Sequence, residues 1–283
     1  MVRNITFKAS PLTLVGRVLQ LGEPAADFKV FNQDLQEVTL VSFKGKIKII
    51  NVFPSLDTPV CDLQVKEFNQ RATGLSADVV MLGISKDLPF AQKRFCESFD
   101  IKNVSVFSDY KTSSFGINYG LLIKELNLLA RAALIIDKND VLRYFQVAPE
   151  LTAPLDYAAV LNNLETVIKN PESPVKQELI YKCEPCQGSA LALAKERIEK
   201  LLLEHRGWES TDFRKMVKEF KFKDFIDAKY FLDLVSIIAQ EQGHHPMMTI
   251  IYNTLKVTLT TFVAGGLTEN DFIMASLIDS LQV

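Results

Sequence analysis

Asn51-Val52-Phe53-Pro54-Ser55-Leu56-Asp57-Thr58-Pro59-Val60-Cys61-Asp62 is the stretch from which the fold of this chain is read. Residues 47–53 form a short apolar run of strand length, rich in β-branched side chains. Beyond it Cys61, Val65, Phe68 and Ala72 recur at intervals of four, three and four, the stripe of an amphipathic helix. Thr58 is a favoured N-cap residue and Pro59 a favoured first helical residue, so Cys61 falls in the first turn. Backbone N–H groups are unpaired there and the helix dipole is positive; both favour a thiolate over a thiol whose pKa is otherwise about 8.5. A strand that turns into a helix with a cysteine at its start makes a nucleophilic sulfur. A core cysteine on an apolar helix face is the alternative the stripe allows.

Outward from this stretch, strands alternate with helices. Residues 79–84 read as a strand, a helix follows from about Leu88 with Asp87 as its cap, and residues 104–107 read as the next strand. Alternation of this kind implies right-handed βαβ units and a parallel sheet. Residues 132–136 and 141–147 flank the polar turn Asp137-Lys138-Asn139-Asp140 and read as an antiparallel pair, closed by a helix over about 155–168. Upstream, residues 5–8 and 38–40 read as short strands, punctuated by Gly22-Glu23-Pro24 and by Gly45. The sum is an α/β thioredoxin-like domain, a central mixed sheet flanked by helices.

The spacing Pro54-x-x-x-Thr58-x-x-Cys61 resembles the active-site motif of peroxiredoxins, and Asp57-Thr58-Pro59-Val60-Cys61 resembles their thiol peroxidase branch, the atypical two-cysteine enzymes. Leu88-Pro89-Phe90-Ala91-Gln92-Lys93-Arg94-Phe95-Cys96 and Leu128-Leu129-Ala130-Arg131-Ala132 match the same branch in the same order. The resemblance implies that Cys61 reduces a peroxide, that Pro54 shields the pocket, that Thr58 orients peroxide and thiolate, and that Arg131 polarises both. A leaving peroxide oxygen needs donors and positive charge as its own charge develops, and a guanidinium stays charged throughout. Arg131 taken alone would more often be a surface ion-pair residue. The product is a sulfenic acid, which condenses with a second thiol. By resemblance that thiol is Cys96 of the same chain, local unfolding brings the two sulfurs together, and thioredoxin is the external reductant.

The chain has 283 residues, long for one domain, with 48% hydrophobic and 23% charged residues, the balance of an ordinary globular protein. A net charge of −2 gives no electrostatic reason to expect nucleic acid or an anionic membrane as partner. No apolar run approaches the roughly 20 residues of a membrane span. Arg3, Lys8 and Arg17 interrupt the N-terminal apolar residues, so no signal-peptide core is expected. Four cysteines are too few for a secreted disulfide scaffold and fit a cytoplasmic protein that keeps thiols for chemistry.

Asn170-Pro171-Glu172-Ser173-Pro174 marks a boundary, since two prolines among polar residues resist helix and central strand alike. The expected organisation is a first domain over 1–170, a linker over 171–177 and a second domain over 178–283. In the second domain, residues 189–203 have helical composition, and Phe225, Ala228, Phe231, Val235 and Ile238 mark a long amphipathic helix stopped by Gly243. Residues 249–261 read as one extended stretch, Gly265-Gly266 as a turn, Thr268 as a cap and residues 271–281 as the last helix. This is a smaller α+β domain, an antiparallel sheet with helices on one face.

Gly243-His244-His245-Pro246, Tyr252 and Gly266-Leu267-Thr268-Glu269-Asn270-Asp271 resemble pterin-4a-carbinolamine dehydratases, as do Lys182-Cys183-Glu184-Pro185-Cys186, Gly207-Trp208 and Phe220-Lys221-Phe222. Adjacent histidines after a helix stop can point both imidazoles into one pocket, and dehydration of a carbinolamine needs an acid and a base that imidazole can supply. By resemblance the substrate is a pterin carbinolamine, with His244, His245, Pro246, Phe262 and Asp271 as pocket candidates. The family's third histidine, after the last strand, is absent: Thr261 is followed by Phe262. Cys183-x-x-Cys186 has three readings: half of a zinc site, a redox dithiol, or an inert feature. No metal and no tightly bound cofactor are expected, and both resembling families point to a homodimer or larger assembly. The competing function is a peroxide-sensing redox protein whose C-terminal domain only binds pterin or dimerises.

Overall fold

The computed structural model describes residues 4–71, 76–170, 183–184 and 191–282, with the side chains of 59–63 and 71 outside the description. The chain divides into two compact units, Met1–Leu179 and Ile180–Val283. The expected linker over 171–177 lies outside the described residues.

The first unit runs β1 (Asn4–Phe7), β2 (Ser10–Arg17), β3 (Lys29–Phe31), β4 (Glu37–Thr39), β5 (Ile47–Val52), α1 (Pro59–Arg71), β6 (Val79–Ser85), α2 (Pro89–Ser98), β7 (Ser105–Ser108), α3 (Ser114–Asn118), β8 (Leu122–Ile123), β9 (Leu128–Leu129), β10 (Ala132–Ile136), β11 (Leu142–Val147) and α4 (Tyr157–Lys169). Seven strands form one sheet in the order β11-β10-β5-β6-β7-β3-β4. β5, β6 and β7 are parallel, and β10 joins β5 antiparallel with Ile135 opposite Ile49. All six residues of β5 are buried, as expected of a central strand covered on both faces. On one face Ile47, Ile49 and Ile135 pack with Val65 and Phe68 of α1, Phe95 of α2 and Val160 and Leu164 of α4.

β2 escapes the sequence reading because Pro11 and Gly16 punctuate it. Gly16 has φ +118, and a Cβ there would lie 2.3 Å from the carbonyl oxygen of Ile117, so the glycine permits a close approach of two backbones. β1 and β2 pair through a turn whose residues Lys8 and Ala9 both have positive φ, a primed turn built without glycine or asparagine. Asp87 does not cap α2. Pro89 opens that helix with Leu88 in the N-cap position, which leaves the Asp87 carboxylate one residue too early to serve the first turn.

The second unit contains α5 (Lys195–Glu204), β12 (Met216–Lys221), α6 (Phe225–Gln242), β13 (Met247–Ile251), β14 (Thr254–Leu259) and α7 (Glu269–Asp279). Its antiparallel sheet has the order β12-β14-β13. The single stretch expected over 249–261 is a hairpin: Tyr252 takes φ +48, and the side chain and carbonyl of Asn253 bond back to Phe222. A β-branched composition that continues through both strands hides the turn. Leu255, Val257 and Leu259 alternate inward from β14, and α6 and α7 bury Ala228, Phe231, Val235, Phe272, Ala275 and Ile278. Asp224 caps α6 by accepting from the Asp227 N–H, and Gly243 at φ +65 ends it. Thr268 and Asp271 form a capping box at the start of α7. Among the described residues no helix is long and apolar enough to cross a membrane.

Candidate active site

α1 begins at Pro59, immediately after β5 and the Phe53–Thr58 turn, and Cys61 is its third residue. The Cys61 side chain lies outside the described residues. Pro54 is buried in the turn, and Thr58 is half-buried. Thr58 donates its hydroxyl to the Ser55 carbonyl at 3.2 Å, and its backbone N–H to the same oxygen at 3.4 Å.

Arg131 precedes β10 and is 2% exposed. That burial removes the surface ion-pair reading. Its Nε donates to the Leu151 carbonyl at 3.1 Å, and its Nη1 donates to Oε1 of Gln64. Gln64 is fully buried on α1, one turn after Cys61, and its Nε2 donates to Asn51 Oδ1 and, at 3.3 Å, to the Val52 carbonyl. Asn51, Gln64 and Arg131 thus join β5, the Cys61 helix and the strand beside β5 in one buried polar chain. The sequence reading missed Gln64. Its signal was a polar residue at a helix position adjacent to the apolar stripe of Val65 and Phe68.

Cys96 lies on α2, buried and free, within the same apolar cluster as Phe53, Val65 and Phe95. Burial pushes its thiol up from the ordinary value, against a smaller pull down by the Gln33 side chain, with Glu97 adding to the rise. A protonated thiol is a poor nucleophile. Cys96 also lines a cavity of about 600 Å³ with Gln33, Asp34, Glu97, Asp100 and Lys102.

In the second unit the two histidines part company. His244 is buried and its Nε2 lies 2.8 Å from Oδ1 of the fully buried Asp271; His245 is exposed, with Nε2 3.3 Å from Gln240 Oε1. The two imidazoles of the expected pair therefore sit in different surroundings, one buried against a carboxylate and one exposed. Asp271 also accepts from the Thr268 N–H and the Thr261 hydroxyl, each at 2.8 Å. Its oxygens are engaged in holding the start of α7. Phe262 is 72% exposed in a short 3₁₀ turn, and does not close an apolar pocket. Pro246 is half-buried. The remaining histidine, His205, bonds the Leu201 carbonyl and the Ser276 hydroxyl, so it supplies no substitute for the missing third imidazole. A cavity of about 650 Å³ on the open face of the sheet is lined by Glu209, Lys215, Lys218, Met247, Lys256 and Thr258, with neither His244 nor His245 among its lining.

Cys183 is buried; its N–H donates to Gln242 Oε1 and its sulfur lies 3.7 Å from the Asn270 carbonyl. Cys186 lies outside the described residues. Among the described residues no three His, Cys, Asp or Glu side chains gather as a metal site.

A mixed sheet of this order, with a cysteine in the first turn after β5 and a buried arginine tied to the same helix, defines a thioredoxin-fold thiol enzyme. The chain belongs to the redoxin family, whose model matches residues 20–161. The thiol peroxidase of Oceanobacillus iheyensis is 46% identical over 161 residues, 57% of this chain and 98% of that protein. The crystal structure of a peroxiredoxin-like protein from Aquifex aeolicus is 42% identical with a TM-score of 0.56, covering 59% of this chain and 98% of that one. A thiol peroxidase structure from Chromobacterium violaceum, 18% identical with a TM-score of 0.54 over 60% of this chain and 99% of that one, shares the fold. Residues 191–281 match the pterin 4 alpha carbinolamine dehydratase family. The chain therefore joins a thiol peroxidase segment to a pterin-dehydratase-like segment.

Proposed function

We propose that the first unit reduces hydrogen peroxide and organic hydroperoxides through Cys61, with Cys96 as resolving thiol and thioredoxin as reductant, in the cytoplasm and as a homodimer or larger assembly. The observation that carries the reading is the burial of Arg131 and its bond to Gln64, one turn from Cys61. A guanidinium taken out of water and fixed by protein acceptors is preorganised for charge that develops during reaction. The Cys61 thiolate attacks one peroxide oxygen. The O–O bond breaks, sulfur is oxidised to sulfenic acid, and the other oxygen leaves as hydroxide or alkoxide and takes up a proton. Pro54 keeps water from the sulfur, Thr58 supplies a hydroxyl and Arg131 supplies positive charge. The Cys96 thiolate then displaces hydroxide from the sulfenic sulfur, giving a disulfide and water. An external dithiol reduces that disulfide and is itself oxidised. Because Cys96 is buried with a raised pKa, the second step requires that α2 loosen first.

The test is peroxide consumption with thioredoxin and its reductase. Cys61→Ser abolishes turnover, and Cys96→Ser retains one turnover and then stalls. Normal cycling by Cys96→Ser removes the resolving role.

For the second unit the proposed ligand is a pterin carbinolamine, with His244 and His245 as the groups able to move protons. The separation of one buried and one exposed imidazole favours a second reading, a module that binds pterin without rapid dehydration. The two divide on Phe262→His: a dehydratase short of one imidazole gains rate, whereas a binding module stays flat in the same assay.

A further inference from the structure

The carboxylate of Asp87 sits between the two redox elements. Its Oδ1 accepts from the Ser55 hydroxyl at 2.6 Å, and its Oδ2 accepts from the Leu56 N–H at 2.8 Å and the Ser85 hydroxyl at 2.7 Å. Ser55 passes this position on: its hydroxyl accepts from the Asp57 N–H at 3.2 Å and its carbonyl accepts from the Thr58 hydroxyl at 3.2 Å. On its other side Asp87 stands two residues before Pro89, the first residue of the helix that carries Cys96. The Asp87 carbonyl accepts from Ser108 at 2.5 Å, and Gln92 of that helix donates to Ser85 at 3.1 Å and to the Phe107 carbonyl at 2.8 Å. Beyond the far end of the helix the chain is fastened to α1. Asn69 of α1 accepts from the backbone N–H groups of Lys102 and Asn103, and Lys66 of α1 lies 3.6 Å from the ring centroid of Phe99.

We propose that Asp87 is a positioning residue with opposite effects on the two half-reactions: it holds the Ser55–Thr58 turn in the form that reduces peroxide, and it restrains the Cys96 helix from the opening that disulfide formation requires. The inference rests on the roles proposed above for Cys61 and Cys96. A carboxylate accepts at both oxygens in fixed directions, whereas an amide accepts at one and presents a donor at the other. Asp87→Asn removes the charge that strengthens all three bonds and reverses the one to Ser55: the amide Oδ1 keeps the Leu56 N–H, while its Nδ2 faces the Ser55 hydroxyl, which must turn from donor to acceptor. A weakened grip on this turn displaces the Thr58 hydroxyl, and displacements on the order of 1 Å in a reacting group cost roughly 100-fold in rate. The carboxylate reaches α2 through Ser85, whose hydroxyl donates to Asp87 and accepts from Gln92, so the same change loosens the start of the helix and the opening that brings Cys96 to Cys61 is not slowed.

The two steps are separated in single turnovers of the full chain. Rapid mixing with hydrogen peroxide followed by acid quench and mass spectrometry measures sulfenic acid formation and then Cys61–Cys96 disulfide formation. Asp87→Asn is expected to lower the bimolecular rate with peroxide at least tenfold while disulfide formation stays equal or becomes several-fold faster. Ser55→Ala, which removes one partner of the grip without touching α2, is expected to lower the peroxide step in the same direction, and Ser55→Ala with Asp87→Asn is expected to cost less than the product of the single losses. A merely structural role lowers both steps by the same factor; that outcome, or two unchanged rates, overturns the proposal. Failure of the wild-type chain to form the Cys61–Cys96 disulfide overturns the underlying site reading and this inference with it, and is read before any variant is compared.

Discussion

Gln64→Leu is the sharpest probe of the buried chain behind Cys61. Leucine has a similar volume, so the core stays filled. The change deletes the Oε1 acceptor of Arg131 Nη1 and the Nε2 donor to Asn51 Oδ1 and the Val52 carbonyl. Loss of a hydrogen bond to a charged group costs about 1.5–3 kcal/mol, and a buried acceptor left unsatisfied costs about 1–3 kcal/mol. Asn51 bears the second cost, since its Nδ2 already has no partner in the interior. Burial of a leucine in place of an amide returns about 1 kcal/mol. The expected loss of stability is about 2–4 kcal/mol, within the 5–15 kcal/mol that domains of ordinary stability possess. The rate of Cys61 oxidation should fall roughly 10- to 100-fold, because Arg131 keeps its charge but loses a direction. Gln64→Glu separates acceptor from donor: it keeps the contact to Arg131, and a turned Asn51 amide can present its unused Nδ2 to the new carboxylate. That variant should retain most of the rate. Urea unfolding followed by the first unit's signal, paired with single-turnover peroxide kinetics, checks both numbers. A stability change under about 1 kcal/mol with a rate within twofold of wild type would refute the reasoning.

Three further outcomes are expected. In the reduced protein, iodoacetamide should modify Cys96 more slowly than an open thiol, with reactivity rising only above the ordinary thiol range, because burial holds the proton on sulfur; peptide-resolved mass spectrometry across neutral to alkaline pH reads this, and the reactivity of an open thiol throughout contradicts it. Glu150, held down to about 2 chiefly by the Thr6 hydroxyl and further by Thr152 and the Lys8 N–H, contributes stability that is complete above the ordinary carboxylate value of 4.5. That contribution is lost as pH falls through the folded value, so the protection of β1 amides relative to their intrinsic exchange rates should fall on acidification towards pH 2, and Glu150→Gln should remove that dependence while leaving protection low throughout. Asp271→Ala should cost the second unit about 3–5 kcal/mol, since it leaves His244, Thr261 and the Thr268 N–H without their shared acceptor; a denaturation midpoint unchanged from wild type contradicts that role.

The parts legible in the sequence were those that local chemistry dictates. β5 is mostly apolar because it is covered on both faces, and Thr58-Pro59 has the residue types of a helix start. Gly243 and Thr268 took the roles their residue types favour. What escaped depends on partners distant in the chain. Gly16 looks like a break until Ile117 is seen against it. Asp87 looks like a cap, yet its donors come from Ser55 and Leu56, some thirty positions earlier. Gln64 shows locally as a polar residue beside an apolar stripe, and its role lies in Arg131, 67 residues away.

The second unit shows the opposite limit, a motif that is legible and a geometry that is not. Two adjacent histidines invite the reading of a paired acid and base. In the structure one imidazole is buried and the other exposed, and the inward one meets a carboxylate that a helix cap has already fixed in place. A buried imidazole against a carboxylate engaged by the Thr268 N–H and the Thr261 hydroxyl is held in one orientation, which suits a group that must present its other nitrogen to a ligand. The outward imidazole has no such support: its described partner is Gln240 at 3.3 Å. If one of the two acts as a fixed base, it is His244, whose carboxylate partner is itself held in place. His245→Gln should then leave pterin affinity nearly intact and lower any dehydration rate, whereas His244→Gln should disturb the start of α7 as well. The unequal settings of two identical side chains are therefore expected to show as unequal losses, and equal effects of the two substitutions contradict that reading.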